Sequence, residues 1–223
     1  MKIASLETFT NRQVCVVRAR AEDGAEGWGQ TAPYNADITA QVFHRQVAPH
    51  ALGHDADDID GLTDIVLEAQ YKFTGMYLCR ALAGLDTALW DLKAKRAGKS
   101  VCELLGGRTR PVAVYGSSMR RDITPEDEAA RLLKLREQFG FRAFKIRIGA
   151  RLGHDQDQWP GRTEQLLEAV RKKLGGGVKI YVDANGAYTP RKAIQVGRLL
   201  ERHGVVHYEE PCPYWEIEWT GEA

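Results

Sequence analysis

The sequence predicts an α+β region followed by a parallel α/β barrel, of which four strands are present, and three successive changes of pattern carry that reading. Residues 3–31 alternate as antiparallel strands do: IASLETFT, then QVCVVRARAE, a turn at Asp23-Gly24, and EGWGQTAP. From Ile38 to Lys95 the apolar residues recur at helical spacing, most clearly Leu78, Leu82, Leu85, Leu89 and Leu92, with Ala81 and Ala88 on the same face. That helical run ends near Gly98. Gly106-Gly107-Arg108-Thr109-Arg110-Pro111 then separates it from a different pattern, so the domain boundary is placed between residues 1–110 and 111–223.

After Pro111 the runs VAVYGSS, AFKIRIG, KIYVDANG and VVHYEEP read as four short strands with helices between them. Thr124-Pro125-Glu126 opens the first helix and Gly140 ends it; Arg162 to Leu174 forms the second; Thr189-Pro190 opens the third and Gly204 closes it. Helical crossovers return the chain to the same end of the sheet, so the strands run parallel. Neither GxGxxG nor GxxxxGK[ST] follows a strand, which removes the nucleotide-loop signal of an open sheet and leaves the barrel favoured.

Composition narrows the function. The 223 residues are 43% hydrophobic and 27% charged, as in ordinary globular proteins. Thirty-one Lys and Arg against 30 Asp and Glu leave a net charge of +1, so no basic field exists to attract nucleic acid. No apolar run reaches the roughly 18 residues a membrane span needs, and MKIASLETFT lacks the features of a secretory signal, so a cytoplasmic location is expected. The cysteines at 15, 79, 102 and 212 are read as free thiols, Cys212 being close enough to YEEP to line a site. The histidines give a zinc site no support, and His203 and His207 are read as structural.

In a parallel barrel the strand C-termini converge on one cavity. Those termini supply Ser117, then Lys145 and Arg147, then Asp183 and Asn185, then Glu209 and Glu210. Residues i and i+2 of a strand share a face, so Lys145 and Arg147 point inward while Ile146 points to the helices. A lone charge at a strand end is usually solvated, but two cations followed by two acids on consecutive strands would be costly to bury without mutual balance or a metal. Oxygen ligands without His or Cys select Mg²⁺ or Mn²⁺. The cations beside them invite a small-molecule carboxylate.

The segment RALAGLDTALWDLKAK at Arg80–Lys95, continuing through GKSVCELLGG, with KIRIG, VDANGAY and YEEP in order, resembles the mandelate racemase and muconate lactonizing group of the enolase superfamily. The resemblance implies an α+β capping domain up to about residue 110, then a modified (β/α)7β barrel. It implies an Mg²⁺-dependent enzyme that removes the proton next to a carboxylate and stabilises the enolate, with Asp183 and Glu209 as metal ligands. Lys145 would neutralise the substrate carboxylate, Ser117 and Asn185 would support it, and loops at 28–34 and 73–77, including Trp28 and Tyr34, would contribute substrate contacts. A homo-oligomer is also implied.

Arg147 stands where many members of the group carry a second, basic lysine. A guanidinium keeps its proton at physiological pH, so two-base racemisation is disfavoured and a sugar-acid dehydratase, a hydro-lyase, is expected. A racemase or epimerase, a cycloisomerase, and an inactive truncated remnant are the alternatives. Only 113 residues follow Arg110, whereas a whole barrel needs roughly 250. The third metal ligand and a His-Asp pair are therefore expected beyond Ala223, and the chain alone is expected to be inactive.

Overall fold

Alternation puts every second residue of β1 (Ile3–Thr10), β2 (Cys15–Ala21) and β3 (Glu26–Gln30) on one side of an antiparallel sheet ordered β1-β2-β3. Val17, Ala19 and Ala21 are buried on the inner side, whereas Arg18 and Arg20 face outward and donate through Nε to Glu7 and Glu26 at 2.9 Å. These strands open a computed structural model that describes residues 1–223 as two units, Met1–Pro111 and Val112–Ala223.

The first unit continues through α1 (Ala36–Val42), a π-helical turn (Phe43–Val47), α2 (Ala48–Ala51), α3 (Ile59–Ala69) and the 22-residue α4 (Met76–Ala97). The five leucines of the helical pattern are all buried, packed with Phe43, Val47 and Leu62. Helix α4 ends where Gly98 turns left-handed, at φ +62. Next, α5 (Val101–Leu104) is opened by a Ser100/Glu103 capping box. Sheet and helix approach at backbone distance: a Cβ built on Gly27 would lie 2.0 Å from the Ala88 carbonyl oxygen, and one on Gly29 would lie 2.3 Å from that of Gly84.

The second unit alternates strand and helix: β4 (Gly116–Ser117), α6 (Pro125–Phe139), β5 (Ala143–Arg147), α7 (Arg162–Leu174), β6 (Lys179–Asp183), α8 (Pro190–Arg202), β7 (His207–Glu209) and finally α9 (Ile217–Glu222). All strands are parallel, in the order β4-β5-β6-β7. Phe144, Ile146, Ile180 and Val182 pack on one face against Leu132, Leu166, Val170 and other helical residues.

The cap predicted at Thr124 forms, whereas Thr189 precedes Pro190 at the start of α8 without a side-chain cap, its hydroxyl donating instead to Asp155 Oδ2 at 2.9 Å. The Thr124 hydroxyl accepts from the Asp127 N–H at 3.1 Å, with Pro125 in the first turn of α6. Thr124→Ala is expected to cost about 1 kcal/mol, read as a lower urea midpoint with unchanged slope.

Two strands are shorter than predicted. VAVYGSS contributes only Gly116–Ser117 and VVHYEEP only His207–Glu209, because β4 pairs only at Gly116↔Phe144 and Ser117↔Lys145, and β7 only with the last three residues of β6. Backbone without a neighbour has no ladder to join, and Val112 and Val114 are 72% and 68% exposed. No helix is long and apolar enough to cross a membrane.

Candidate active site

Register decides which side chains meet. Ser117, Lys145, Tyr181 and His207 lie in one paired row, and Arg147, Asp183 and Glu209 in the next. Residues paired across a sheet share a face, so both rows lie opposite the helix-packed face. Ile146, between the two cations in sequence, is fully buried toward the helices. The parity expected from the i, i+2 spacing is therefore the parity observed.

The charged groups are buried and touch. Lys145 is 7% exposed, Arg147 9% and Asp183 1%. The Lys145 ammonium donates to Glu209 Oε1 and Oε2 at 3.0 and 2.8 Å and lies 3.3 Å from Asp183 Oδ2. Burial opposes its charge, but the bonds to Glu209 and Asp183 prevail and raise its pKa above the ordinary lysine value. Arg147 donates through Nη1 to Asp183 Oδ2 and Asn185 Oδ1, and through Nε to the Ser118 carbonyl at 3.3 Å.

The tips are held by unusual backbone. Asn185 and Glu210, just beyond β6 and β7, both adopt left-handed conformations, with φ +44 and +46. The Asn185 N–H donates to Asp183 Oδ1 at 2.9 Å, its Nδ2 donates to Glu210 Oε2 at 3.0 Å, and the Gly186 N–H donates to the Glu210 carbonyl at 2.7 Å. Both ends of the Asn185 amide are thus engaged within the protein. Tyr188, which ends VDANGAY, is 2% exposed in the helix-side core, and burial pushes its phenol up to about 12.

Other sequence candidates lie elsewhere. Ser117 is exposed in register with Lys145, while the buried neighbour Ser118 accepts from Arg131 Nη2 at 2.9 Å. Cys212 is packed in the core beside Trp219 rather than lining the tips. His203 bonds the Leu199 carbonyl, and His207 lies edge-on to Tyr181.

Within the first unit, the Trp28 ring stacks on Phe9 at 5.6 Å beneath the Arg18 guanidinium, on the outer side of the sheet. Tyr34 is 67% exposed, at φ +65, and its carbonyl accepts from Arg80. Asn35 Nδ2 donates to the Tyr77 hydroxyl at 3.2 Å, which joins the loop before α1 to the first turn of α4.

Sequence reasoning missed Arg121. It lies in the irregular segment between β4 and α6, where no periodicity assigns a face, yet its Nη2 donates to Asn185 Oδ1 at 2.7 Å. Burial and the neighbouring Arg147 hold its pKa below the ordinary arginine value.

Whether these residues suit a divalent ion is answered by the donor set. Asp183 and Glu209 offer hard carboxylate oxygens in adjacent strands, and both already meet one ammonium, so they can share a cation. No group of three or more His, Cys, Asp or Glu in this chain is arranged around a common point. The pair fits Mg²⁺, which is often bound by only one or two protein carboxylates.

Comparison with known proteins identifies the family. The N-terminal domain of mandelate racemase / muconate lactonizing enzyme matches residues 2–106, and the enolase C-terminal domain-like family matches residues 127–222. The chain belongs to the mandelate racemase and muconate lactonizing group of the enolase superfamily. Its architecture is that superfamily's N-terminal capping domain followed by its barrel domain, here with four parallel strands.

Among enolase-superfamily relatives, the arabinonate dehydratase of Saccharolobus solfataricus is 32% identical over 206 residues, which are 89% of this chain and 52% of that protein. Others are named L-talarate/galactarate dehydratase, D-mannonate dehydratase and D-galactarolactone cycloisomerase. A candidate racemase from Roseobacter denitrificans, of known structure, is 55% identical with a TM-score of 0.96, covering 100% of this chain and 61% of that one. A mandelate racemase/muconate lactonizing protein from Paracoccus denitrificans, solved with magnesium, is 32% identical with a TM-score of 0.90, over 99% and 61%. The chain spans about half the length of the arabinonate dehydratase and about three fifths of these structures.

Proposed function

We propose that the protein containing this chain is an acid-sugar dehydratase that removes the proton next to a carboxylate, stabilises the enolate and expels the β-hydroxyl. The observation that carries the reading is Arg147. It occupies the second inward position of β5, and its guanidinium is spent on Asp183 and Asn185. A group that keeps its proton and is already bonded to an acid does not serve as a base on that face of a substrate. Racemisation through two opposed bases therefore loses one of them. Dehydration needs a single base for the α-proton and an acid for the departing hydroxyl. The names of the dehydratase relatives support the same choice.

Charge balance supports enolate chemistry. Lys145, Arg147 and Arg121 are offset by Asp183, Glu209 and Glu210 in one connected network. Asp183 and Glu209 would hold an Mg²⁺, whose positive charge would offset the second negative charge that develops on the carboxylate oxygens as the α-proton leaves. Lys145 would leave Glu209 and pair with a substrate carboxylate oxygen. Arg147 would keep Asp183 aimed, and Asn185 would hold Glu210.

The test is to incubate the polypeptide as its gene encodes it with Mg²⁺ and a panel of aldonic and aldaric acids and their lactones. A 2-keto-3-deoxy acid plus one water from at least one substrate is the expected result. Epimerised acid without keto acid would establish the racemase reading instead. Conversion of a lactone to an isomeric lactone would establish the cycloisomerase reading.

A further inference from the structure

We propose that Arg121 is a positioning residue for the carboxylate pair: one guanidinium gathers three strand exits and thereby fixes the pose in which Asp183 meets a cation. The proposal rests on the metal-binding reading of Asp183 and Glu209, and it concerns a residue outside both barrel strands that carry them.

Arg121 follows β4. Its Nε donates to the carbonyls of Ile148 and Gly149, at 3.3 and 3.0 Å, where the chain leaves β5. Its Nη2 donates to Asn185 Oδ1 at 2.7 Å, where the chain leaves β6. A planar fork can satisfy acceptors in different directions at once, which an ammonium at the end of a flexible stem does not reproduce.

Asn185 is the element this grip controls. Two guanidinium groups, from Arg121 and Arg147, converge on its Oδ1, while Glu210 takes its Nδ2. Donors on one side and a carboxylate on the other permit a single amide orientation. With the side chain pinned, the backbone at φ +44 is held against its intrinsic cost, and the Asn185 N–H stays on Asp183 Oδ1. That bond occupies one carboxylate oxygen, and Oδ2 is left facing Lys145 and Arg147.

Arg147 grips the same amide oxygen, but it also touches Asp183 directly, so its replacement would confound two effects. Arg121 has no bond to either carboxylate of the pair. Its removal therefore isolates positioning from charge pairing.

The experiment uses the 223-residue chain and its Arg121→Gln, Arg121→Lys and Asp183→Asn variants. Mg²⁺ affinity is read by calorimetry, and amide hydrogen exchange is read at Asn185 and at Val182 within β6. Loss of an outer support of a ligand commonly weakens a metal by 10–100-fold, so Arg121→Gln is expected to bind Mg²⁺ roughly tenfold more weakly. Its Asn185 N–H should exchange at least about tenfold faster while that of Val182 is unchanged. Arg121→Lys should recover part of the affinity at most.

Unchanged affinity and unchanged Asn185 exchange in Arg121→Gln would overturn the proposal while leaving the metal-binding reading intact. If the wild-type chain takes up no Mg²⁺, or takes it up equally in Asp183→Asn, that reading falls and this proposal falls with it. Should Arg121→Gln fail to fold, Arg121→Lys decides on the same two readouts: wild-type affinity and wild-type exchange there would overturn the proposal.

Discussion

Replacing Asp183 with asparagine is expected to abolish Mg²⁺ binding and to lower the melting temperature by on the order of 10 °C. The side chain is 1% exposed and each of its oxygens is already committed. Oδ1 accepts the Asn185 N–H, while Oδ2 receives Arg147 and lies 3.3 Å from Lys145. An amide must place its NH₂ toward one of those donor sets, so a donor faces a donor in either orientation. Breaking a buried pair from one side costs about 3–5 kcal/mol because the partner charge stays buried. Calorimetry and thermal unfolding of the two chains check both halves. Retained Mg²⁺ affinity would remove Asp183 from the metal site, and an unchanged melting temperature would mean that Arg147 finds another acceptor.

A second large effect is expected far from the charges, at Gly27. A Cβ there would lie 2.0 Å from the Ala88 carbonyl oxygen and 2.6 Å from the backbone nitrogen of Leu92. Backbone cannot rotate away as a side-chain end can, so Gly27→Ala must push α4 off the sheet and uncover the buried leucine row. Overpacking alone commonly costs 1–3 kcal/mol, and a forced separation of these layers is expected to cost at least about 3 kcal/mol. Urea unfolding followed by circular dichroism reads it as a lower midpoint for the first unit. A wild-type midpoint would show that α4 can tilt without loss of packing.

The residues that were legible in advance are those governed by a short period. Lys145, Ile146 and Arg147 sort themselves by the two-residue repeat of a strand, and Asp183 and Glu209 follow from ending neighbouring strands. The leucines of α4 and the caps at Thr124 and Gly140 were equally open to inspection, since each expresses a local rule. Periodicity says nothing where the chain leaves an element. Arg121 and Ser118 sit in such a stretch, and the partners that tie them to the rest of the unit come from chain 13 to 64 residues away. The extents of β4 and β7 depended on which neighbours could pair, which alternation in one segment does not encode. Trp28 illustrates a different limit. Its surroundings are cross-strand partners on β1 and β2, Phe9 and Arg18, whose register depends on how the meander pairs.

Asp183 and Glu209 are directly paired across neighbouring parallel strands. Their α-carbons are consequently spaced by the sheet itself, about 4.8 Å between strands, rather than by any loop. If the two carboxylates share a cation as proposed, the backbone anchors of that pair are spaced by peptide hydrogen bonding and separate only if the ladder opens.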